Sequence, residues 1–318
     1  MSTRIEIVDP VQYAEPASRI LQAAWKPPCL YYSADYLAWQ FGFPSHLPRL
    51  AAIAFLDDRA VGCIAVTARY LASIHGTFAA YVLSFVAVDP TATRRGLAAG
   101  MYASLVQVLP SDIPIVAFTE PASVGERLLL DSLRGTFRHR AFAPCRAVGF
   151  LARSNTRAAG VTVQEAPTYE EFASANRRPR DDKALTTDVA AEHWDHYAQD
   201  PRGRAMVTIR DEQRSPVGTA MIVSAEIVSA QGVQRVPMLE SVALASATPS
   251  ALAALFEFAA GRVQPGVTVI ASNLSGIDAT LVRAAGARIL PSSFNAHAFV
   301  RGKPHIVEQA ETLNLEVI

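Results

Sequence analysis

One short segment of the sequence combines cationic side chains with small residues at the predicted start of a helix. Its members are Arg94, Arg95, Gly96, Ala98, Ala99 and Gly100. The strand before it ends at Val88, and Pro90 has no N–H to give to a neighbouring strand, so strand pairing should stop there. The first N–H groups of a helix lack intrahelical partners and lie at the positive end of its dipole, where anions bind. We therefore predict a strand–loop–helix cradle for a pyrophosphate.

The hydrophobic pattern around the cradle predicts an α/β protein with a mixed sheet (α+β). In the first half, strands are predicted near 4–8, 51–56, 60–69, 78–88, 114–118 and 146–153, and helices near 16–25, 33–42, 96–109 and 123–133. The second half follows the same order, with helices near 249–263 and 277–285 on either side of a strand near 267–272. The order predicted for each half is β-α-α-β-β-β-α-β-α-β-β.

The chain also contains an internal repeat. A shift of 156 residues aligns residues 61–88 with residues 217–244 without a gap. The aligned identities include the glycine pair Gly76 and Gly232, and glycine marks turns in which the backbone needs a positive φ. Each block is typical of a strand, a turn at this glycine and a second strand.

The repeat predicts two tandem domains, residues 1–153 and residues 161–318, joined by the polar, small-residue stretch 154–160. The second copy lacks the cradle. Its equivalent turn has Thr248 and Pro249, a good N-cap and first helical residue, but neither arginine nor glycine. We therefore expect one cofactor per chain, bound by the first half.

Composition narrows the classes of partner. The 318 residues are 50% hydrophobic and 18% charged, with 29 basic and 29 acidic side chains. A balanced charge argues against nucleic acid or an anionic membrane as a partner. The three cysteines form neither a disulfide framework nor a metal-ligand pattern, so no metal is expected. The first ten residues lack the apolar core of a signal peptide, so we expect a cytoplasmic protein, either a monomer or a homodimer.

The cradle resembles the coenzyme-A-binding motif of the GCN5-related N-acetyltransferase superfamily. In that family a strand ending V-x-P precedes [R/Q]-x-x-G-x-[G/A] at the start of the main helix. Val88-Asp89-Pro90 matches the first part, and Gly96-Leu97-Ala98 matches the second. Thr93 occupies the position where Arg or Gln is usual, and Arg94 or Arg95 replaces that charge. The resemblance covers the first half, and the repeat implies a second, degenerate copy.

The resemblance implies acetyl-CoA, or another acyl-CoA, as co-substrate. The strand 84–88 would splay from the strand 114–118 and bind the pantetheine arm through its backbone, and the loop would hold the pyrophosphate. The cofactor-binding residues implied are Phe85, Val86, Ala87, Val88, Arg94, Arg95, Gly96, Leu97, Ala98, Ala99 and Gly100.

The candidate catalytic residues each have an alternative. Family members often place a glutamate base where this chain has Ser84. The second copy has Glu240 at the corresponding position. Glu240 is either a structural residue or a residue that reaches a shared cleft. The last family helix often carries a tyrosine that protonates the thiolate, but residues 121–135 have none. Tyr102 is either a substitute or a core residue. Glu120 either lies at the sheet edge where strand ends gather ligands, or is a negative charge that stabilises the start of the next helix.

An aromatic segment, residues 25–39, falls where the family has its substrate-binding helices. Tyr31 and Tyr32 are candidates for the acceptor pocket, and Trp39 is either a substrate contact or a core staple. His193 and His196 have no third ligand at metal spacing, so we expect them to be packing or surface residues. A basic cluster, residues 138–140, either meets an anionic substrate or is a solvated loop.

The resemblance thus implies an acyltransferase that moves an acetyl or other acyl group from coenzyme A to an amine of a small molecule by direct attack. Two alternatives remain. The missing glutamate and tyrosine also fit an acyl-CoA-binding sensor or pseudoenzyme. The second alternative is an enzyme that keeps the cradle but has different thioester chemistry, for example decarboxylation.

Overall fold

A computed structural model describes residues 2–73, 75–151, 160–175, 184–244, 248–262, 268–271, 279–301, 307 and 310–314. Most of the predicted interdomain stretch, residues 154–159, lies outside these ranges. The division into domains 1–153 and 161–318 therefore stays a prediction.

The described part of the first half contains eight strands and four α-helices. They are β1 (Thr3–Val8), α1 (Ala14–Ala24), β2 (Cys29–Tyr31), α2 (Ala34–Phe41), β3 (Leu50–Leu56), β4 (Arg59–Ser73), β5 (Gly76–Val88), α3 (Leu97–Val108), β6 (Ile115–Thr119), α4 (Val124–Leu133), β7 (Arg138–Ala141) and β8 (Cys145–Leu151). Every helix and strand predicted for this half is present. The basic cluster 138–140 forms β7, so its interpretation as a solvated loop was wrong.

The second half follows the same order in its described parts. Its elements are β9 (Thr162–Glu165), α5 (Tyr169–Ala175), β10 (Ala184–Thr187), α6 (Trp194–Ala198), β11 (Ala205–Arg210), β12 (Pro216–Ser229), β13 (Gly232–Leu244), α7 (Pro249–Gly261), β14 (Thr268–Ala271), α8 (Ala279–Ala284), β15 (Arg288–Val300) and β16 (Thr312–Asn314). The prediction of a mixed α/β fold is confirmed.

Local sequence sets the ends of these elements. The β4–β5 and β12–β13 hairpins turn at Gly76 (φ 127°) and Gly232 (φ 105°), as the aligned glycines predicted. Ser33 Oγ accepts the Tyr36 N–H (3.2 Å) and so begins α2. Ser123 caps α4 in the same way.

Two equivalent sheet regions form the centre of the molecule. One has the order β1-β3-β4-β5-β6, the other β9-β11-β12-β13-β14. Neighbours are antiparallel except for β5 with β6 and β13 with β14, which are parallel. In the first region α3 and α4 cover one face, where Leu105, Leu129 and Phe299 share a buried cluster. Helices α1 and α2 cover the opposite face, where Ile20 and Leu37 pack with Phe85.

The two halves exchange strands. The last long strand of the second half, β15, enters the first sheet between β6 and β7, pairing Asn295 with Thr119. The last strand of the first half, β8, pairs in turn with β14, Phe150 opposite Val269. Two shorter segments cross in the same manner, because β2 pairs with β12 and β10 pairs with β4. Each sheet is therefore completed by the other half of the chain.

Candidate functional site

The loop that leaves β5 is fixed by an aspartate. Asp89 Oδ1 accepts the backbone N–H (2.9 Å) and the hydroxyl (2.6 Å) of Thr91. These bonds from Thr91, together with the nearby Arg59 guanidinium, hold the pKa of Asp89 below its usual value. The carboxylate thus ends the strand and shapes the turn that leads to α3.

Helix α3 begins without a side-chain cap. Its N-cap is Gly96, which has φ 70° and no side-chain oxygen to accept an N–H of the first turn. Arg94, two residues earlier, also has a positive φ of 62° and is exposed. The equivalent helix α7 is capped by Thr248, whose Oγ1 accepts the Ala251 N–H (3.2 Å). Thr248 therefore satisfies one N–H group in the first turn of α7. In α3 no side chain caps the first turn, so its N–H groups are open to an anion.

The two glycines of the cradle have different surroundings. A Cβ built on Gly96 would meet nothing within 4 Å, so this position faces open space and needs glycine for its φ. A Cβ on Gly100 would lie 2.6 Å from Cδ1 of Ile5 on β1. Glycine at position 100 thus brings α3 close to the sheet.

The parallel strands beside the cradle diverge, as the resemblance implied. Pairing of β5 with β6 runs from Tyr81–Ile115 to Leu83–Ala117 and then ends. Just beyond this point β5 has a bulge at Phe85, where φ is +57°. This opening between β5 and β6 is called the splay below. The described pairing of β5 with β6 does not extend to Val86 or Val88.

The second half has the same backbone features at the same offset of 156 residues. Ser241, the counterpart of Phe85, has φ +47° and lies in a bulge. Pairing of β13 with β14 extends to Leu239, the counterpart of Leu83. The second copy therefore keeps the backbone of the site while its helix is capped by Thr248.

The space behind the bulge is small and apolar. The Phe85 ring meets Tyr32 (5.2 Å between centroids) and Phe41 (5.5 Å) edge-on. A cavity of about 10 Å³ lies here, about the room of one water molecule. Its lining residues are Pro10, Tyr13, Ala17, Phe41, Ala51, Ile53, Cys63, Ala65 and Phe85. A larger cavity of about 280 Å³, lined by Phe78 and Pro114 among others, lies at the opposite ends of β5 and β6.

Glu240 lies in a buried ion-pair network. It is fully buried, 2.9 Å from Nη1 of Arg204 and 3.4 Å from Nη1 of Arg202. Both guanidinium groups also pair with Asp200. Burial disfavours the charge of Asp200, but Arg204 and Arg202 outweigh it and lower its pKa. The Arg202 guanidinium also lies 4.1 Å above the ring of Tyr36 on α2, so the network joins the two halves.

The other predicted residues lie in different surroundings. Tyr102 packs in the core beneath α3, and burial raises its pKa. Glu120 is exposed directly after β6. Tyr31 lies on β2 opposite Glu226, and Trp39 donates its Nε1–H to the His196 carbonyl (2.8 Å). Ser84 adjoins the bulge, and its buried Oγ has no hydrogen-bond partner among the described residues.

One polar cluster beside the splay could not be recognised in the sequence. Its members, called the histidine network, are Thr119, Glu126, Arg134, His139 and His297. His297 comes from β15 of the second half, so no local spacing could have indicated it. Strand exchange alone brings it to the first half.

His193 and His196 serve as packing residues. His193 stacks on Tyr70 (4.7 Å) and His196 on Trp39 (4.8 Å). Within the described ranges, no group of three or more His, Cys, Asp or Glu side chains is placed to hold a metal ion. No helix in the described part of the chain has both the length and the apolar character needed to span a membrane.

No protein-family model and no curated protein matches the sequence. Solved structures do match. A putative acetyltransferase from Pyrococcus horikoshii is 13% identical with a TM-score of 0.62, covering 99% of this chain and 94% of that one. A GCN5-related N-acetyltransferase from Sphaerobacter thermophilus is 14% identical with a TM-score of 0.55, covering 94% and 96%. Saccharomyces cerevisiae N-myristoyltransferase with bound myristoyl-CoA is 10% identical with a TM-score of 0.63, covering 99% and 89%.

These likenesses extend over nearly the whole length of each chain. The protein therefore has the fold of the GCN5-related N-acetyltransferases, in a tandem arrangement, as the motif in the first half predicted.

Proposed function

We propose that this protein is an acyltransferase that moves an acetyl group from coenzyme A to an amine of a small molecule. The observation that carries the proposal is the uncapped N-terminus of α3 beside the splay of β5 from β6. The first offers N–H groups to a pyrophosphate, and the second offers unpaired backbone to an extended arm. The fold is shared with a structure that contains myristoyl-CoA.

The second half supports one cofactor per chain. Thr248 already satisfies an N–H group of α7 that an anion would need. The equivalent position in α3, Gly96, leaves the space in front of the helix open. We therefore place the single acyl-CoA in the first half.

The space behind Phe85 favours a short acyl group. A cavity of about 10 Å³ has no room for a fatty acyl chain. Tyr32 and Phe41 pack on the Phe85 ring and close this side of the bulge. We therefore propose a short acyl group such as acetyl, since a long chain would require α1 and α2 to move.

Direct attack fits the chain better than a covalent intermediate. Burial raises the pKa of Cys63, the cysteine nearest the bulge, to about 12, so its sulfur is a thiol at neutral pH. Holding an amine beside a thioester supplies much of the acceleration by itself. A backbone N–H of the bulged strand could polarise the thioester carbonyl, as an oxyanion site does.

The acceptor is proposed to be a small molecule because the chain carries no net charge with which to attract a polyanion or a basic protein tail. Of the two candidate pocket residues, Tyr31 lies where β2 crosses onto the second half, whereas Tyr32 is buried against Phe85. The acceptor would then bind between the two halves.

One observation favours a sensor instead. Ser84 stands in place of a carboxylate base. Purified protein mixed with acetyl-CoA and a panel of amines separates these functions when free thiol and acylated amine are both measured. Turnover with any amine supports the transferase. Binding without thiol release in every mixture supports the sensor, and thiol release without acylated amine supports altered thioester chemistry.

A further inference from the structure

The histidine network forms a continuous chain of hydrogen bonds from the surface to the end of β6. Arg134 Nη2 lies 3.3 Å from His139 Nδ1, and His139 Nε2 lies 3.0 Å from His297 Nδ1. His297 Nε2 lies 2.9 Å from Thr119 Oγ1 and 3.2 Å from Glu126 Oε1. His139 is half-buried and His297 is buried, so the chain leads inward.

The two ends of the network fix its direction. Arginine only donates and an ionised carboxylate only accepts. His139 Nδ1 must therefore accept from Arg134, which leaves its Nε2–H to donate to His297 Nδ1. His297 then donates its Nε2–H to Thr119 and Glu126. Each imidazole has one allowed tautomer, and both donate in the same direction, towards the sheet.

The charges of the network keep both rings neutral. Burial lowers the pKa of His297, although the Glu126 carboxylate opposes this. Burial, with Arg134, lowers the pKa of His139 to about 4. The bond from Asn295 lowers the pKa of Glu126, which stays ionised. A neutral imidazole can take a proton at one nitrogen as it gives one from the other.

Thr119 lies at the splay. It is two residues beyond Ala117, the last residue of β6 paired with β5, or roughly 7 Å further along the strand. Alternation places its side chain on the same face as Ala117, which packs with α3 and α4. An arm running from the N-terminus of α3 into the splay would enter from this face and pass Thr119.

Helix capping explains only part of this arrangement. Ser123 and Glu126 form a capping pair, in which Glu126 Oε2 accepts the Ala122 N–H (2.7 Å). The other oxygen, Oε1, accepts from Asn295 (2.6 Å) and lies 3.3 Å from the Thr119 hydroxyl. A cap needs neither histidine. The long Thr119 bond is also the one that a ligand in the splay can replace most easily.

We propose that Thr119 protonates the departing thiolate of coenzyme A, and that His297 and His139 resupply its proton from solvent. This inference rests on the proposed function. It gives the chain a proton donor on β6, and two of the groups that hold this donor in place, His297 and Asn295, belong to the second half.

A series of proton transfers accompanies cleavage of the thioester. The amine nitrogen forms a C–N bond to the acyl carbon and the C–S bond breaks. Sulfur keeps the electron pair of that bond and takes the hydroxyl proton of Thr119. Thr119 Oγ1 takes the Nε2 proton of His297, and His297 Nδ1 takes the Nε2 proton of His139. His139 Nδ1 takes a proton from solvent once the exposed Arg134 moves aside, while the attacking amine loses its proton to solvent. After coenzyme A leaves, water in the open splay reverses these transfers.

The test compares Thr119→Val with Thr119→Ser, and with Thr77→Val as the matched control. Thr77 is exposed and bonds to Asp188, far from the splay. We expect Thr119→Val to lower kcat about 100-fold, with KM and the Kd for acetyl-CoA unchanged, and Thr119→Ser to restore most of it. His297→Gln should lower kcat similarly and reduce the solvent isotope effect. The control His46→Gln should change neither.

Two results would overturn the inference while leaving the proposed function intact. One is full kcat in Thr119→Val with normal acetyl-CoA binding. The other is a nitrogen-15 NMR spectrum of the unliganded wild type that shows His139 or His297 protonated at Nδ1. Absence of any calorimetric signal with acetyl-CoA in the wild type would instead remove the proposed function itself.

Discussion

At the scale of single residues, the cradle depends on a backbone conformation that only glycine adopts freely. Gly96 has φ 70° and open space beside it, and Gly203 in the second half has the same φ and equally open space. Valine at either position should cost about 1–3 kcal/mol through strain. Only Gly96→Val places a side chain in the proposed pyrophosphate site.

We therefore expect Gly96→Val to abolish acetyl-CoA binding, whereas Gly203→Val binds normally despite a similar loss of stability. Calorimetry and urea unfolding of both variants measure the two effects. Equal affinity in the two variants would place the cradle elsewhere.

Glu240 has a structural role because it is buried between two arginines. Removing its charge leaves Arg202 and Arg204 buried with one carboxylate between them. Glu240→Gln should lower the free energy of unfolding by about 3 kcal/mol. The control Glu226→Gln breaks the exposed pair with Arg235 and should cost at most about 1 kcal/mol. A small, equal effect of both changes in urea unfolding would show that the network does not stabilise the contact between the halves.

Residue identities predicted the cradle but not the contacts that cross the molecule. Arg94 and Gly96 predict an anion site because the strand, loop and helix that would form it are contiguous in sequence. The bond between His139 and His297 joins residues 158 positions apart. No local period contains that information, since it depends on which strand fills the gap beside β6.

At the scale of elements, α3 and α7 are two versions of one helix. Thr248→Ala removes the bond to the Ala251 N–H and should lower the free energy of unfolding by about 1 kcal/mol. The affinity for acetyl-CoA should not change, because we propose that the cofactor binds at α3 and not at α7. A loss of affinity in isothermal calorimetry, or a second binding site exposed by the change, would contradict the assignment of one cofactor to α3.

Long elements could be predicted because each carries a full hydrophobic period. The strands β4 and β5 and the helices α1 to α4 agree with expectation within a few residues. The strand β2 was missing from the predicted order, and β7 had a place in that order but no predicted range, because these strands have only three and four residues. Their conformation comes from pairing with β12 and β15, and their own sequences do not specify it.

At the scale of the whole molecule, strand exchange makes the halves interdependent. Without β15, β6 presents a bare edge, and without β14, β8 has no partner on that side. The polypeptide 1–153 alone should therefore aggregate, while its co-expression with 161–318 should give a soluble complex. Size-exclusion chromatography and circular dichroism measure the outcome. A folded, monomeric 1–153 would show that the exchanged strands are dispensable.

The repeat predicted two similar halves, and the common bulges at Phe85 and Ser241 agree with it. The exchange of strands between the halves could not be predicted, because an edge strand has the same sequence pattern whichever sheet it joins.

We propose that the splay and the uncapped helix α3 together bind one acyl-CoA. Titration of the intact chain with acetyl-CoA in a calorimeter tests it most directly. We expect saturable heat with one site per chain, lost in Gly96→Val and kept in Gly203→Val. No heat with acetyl-CoA, or two equivalent sites per chain, would contradict it.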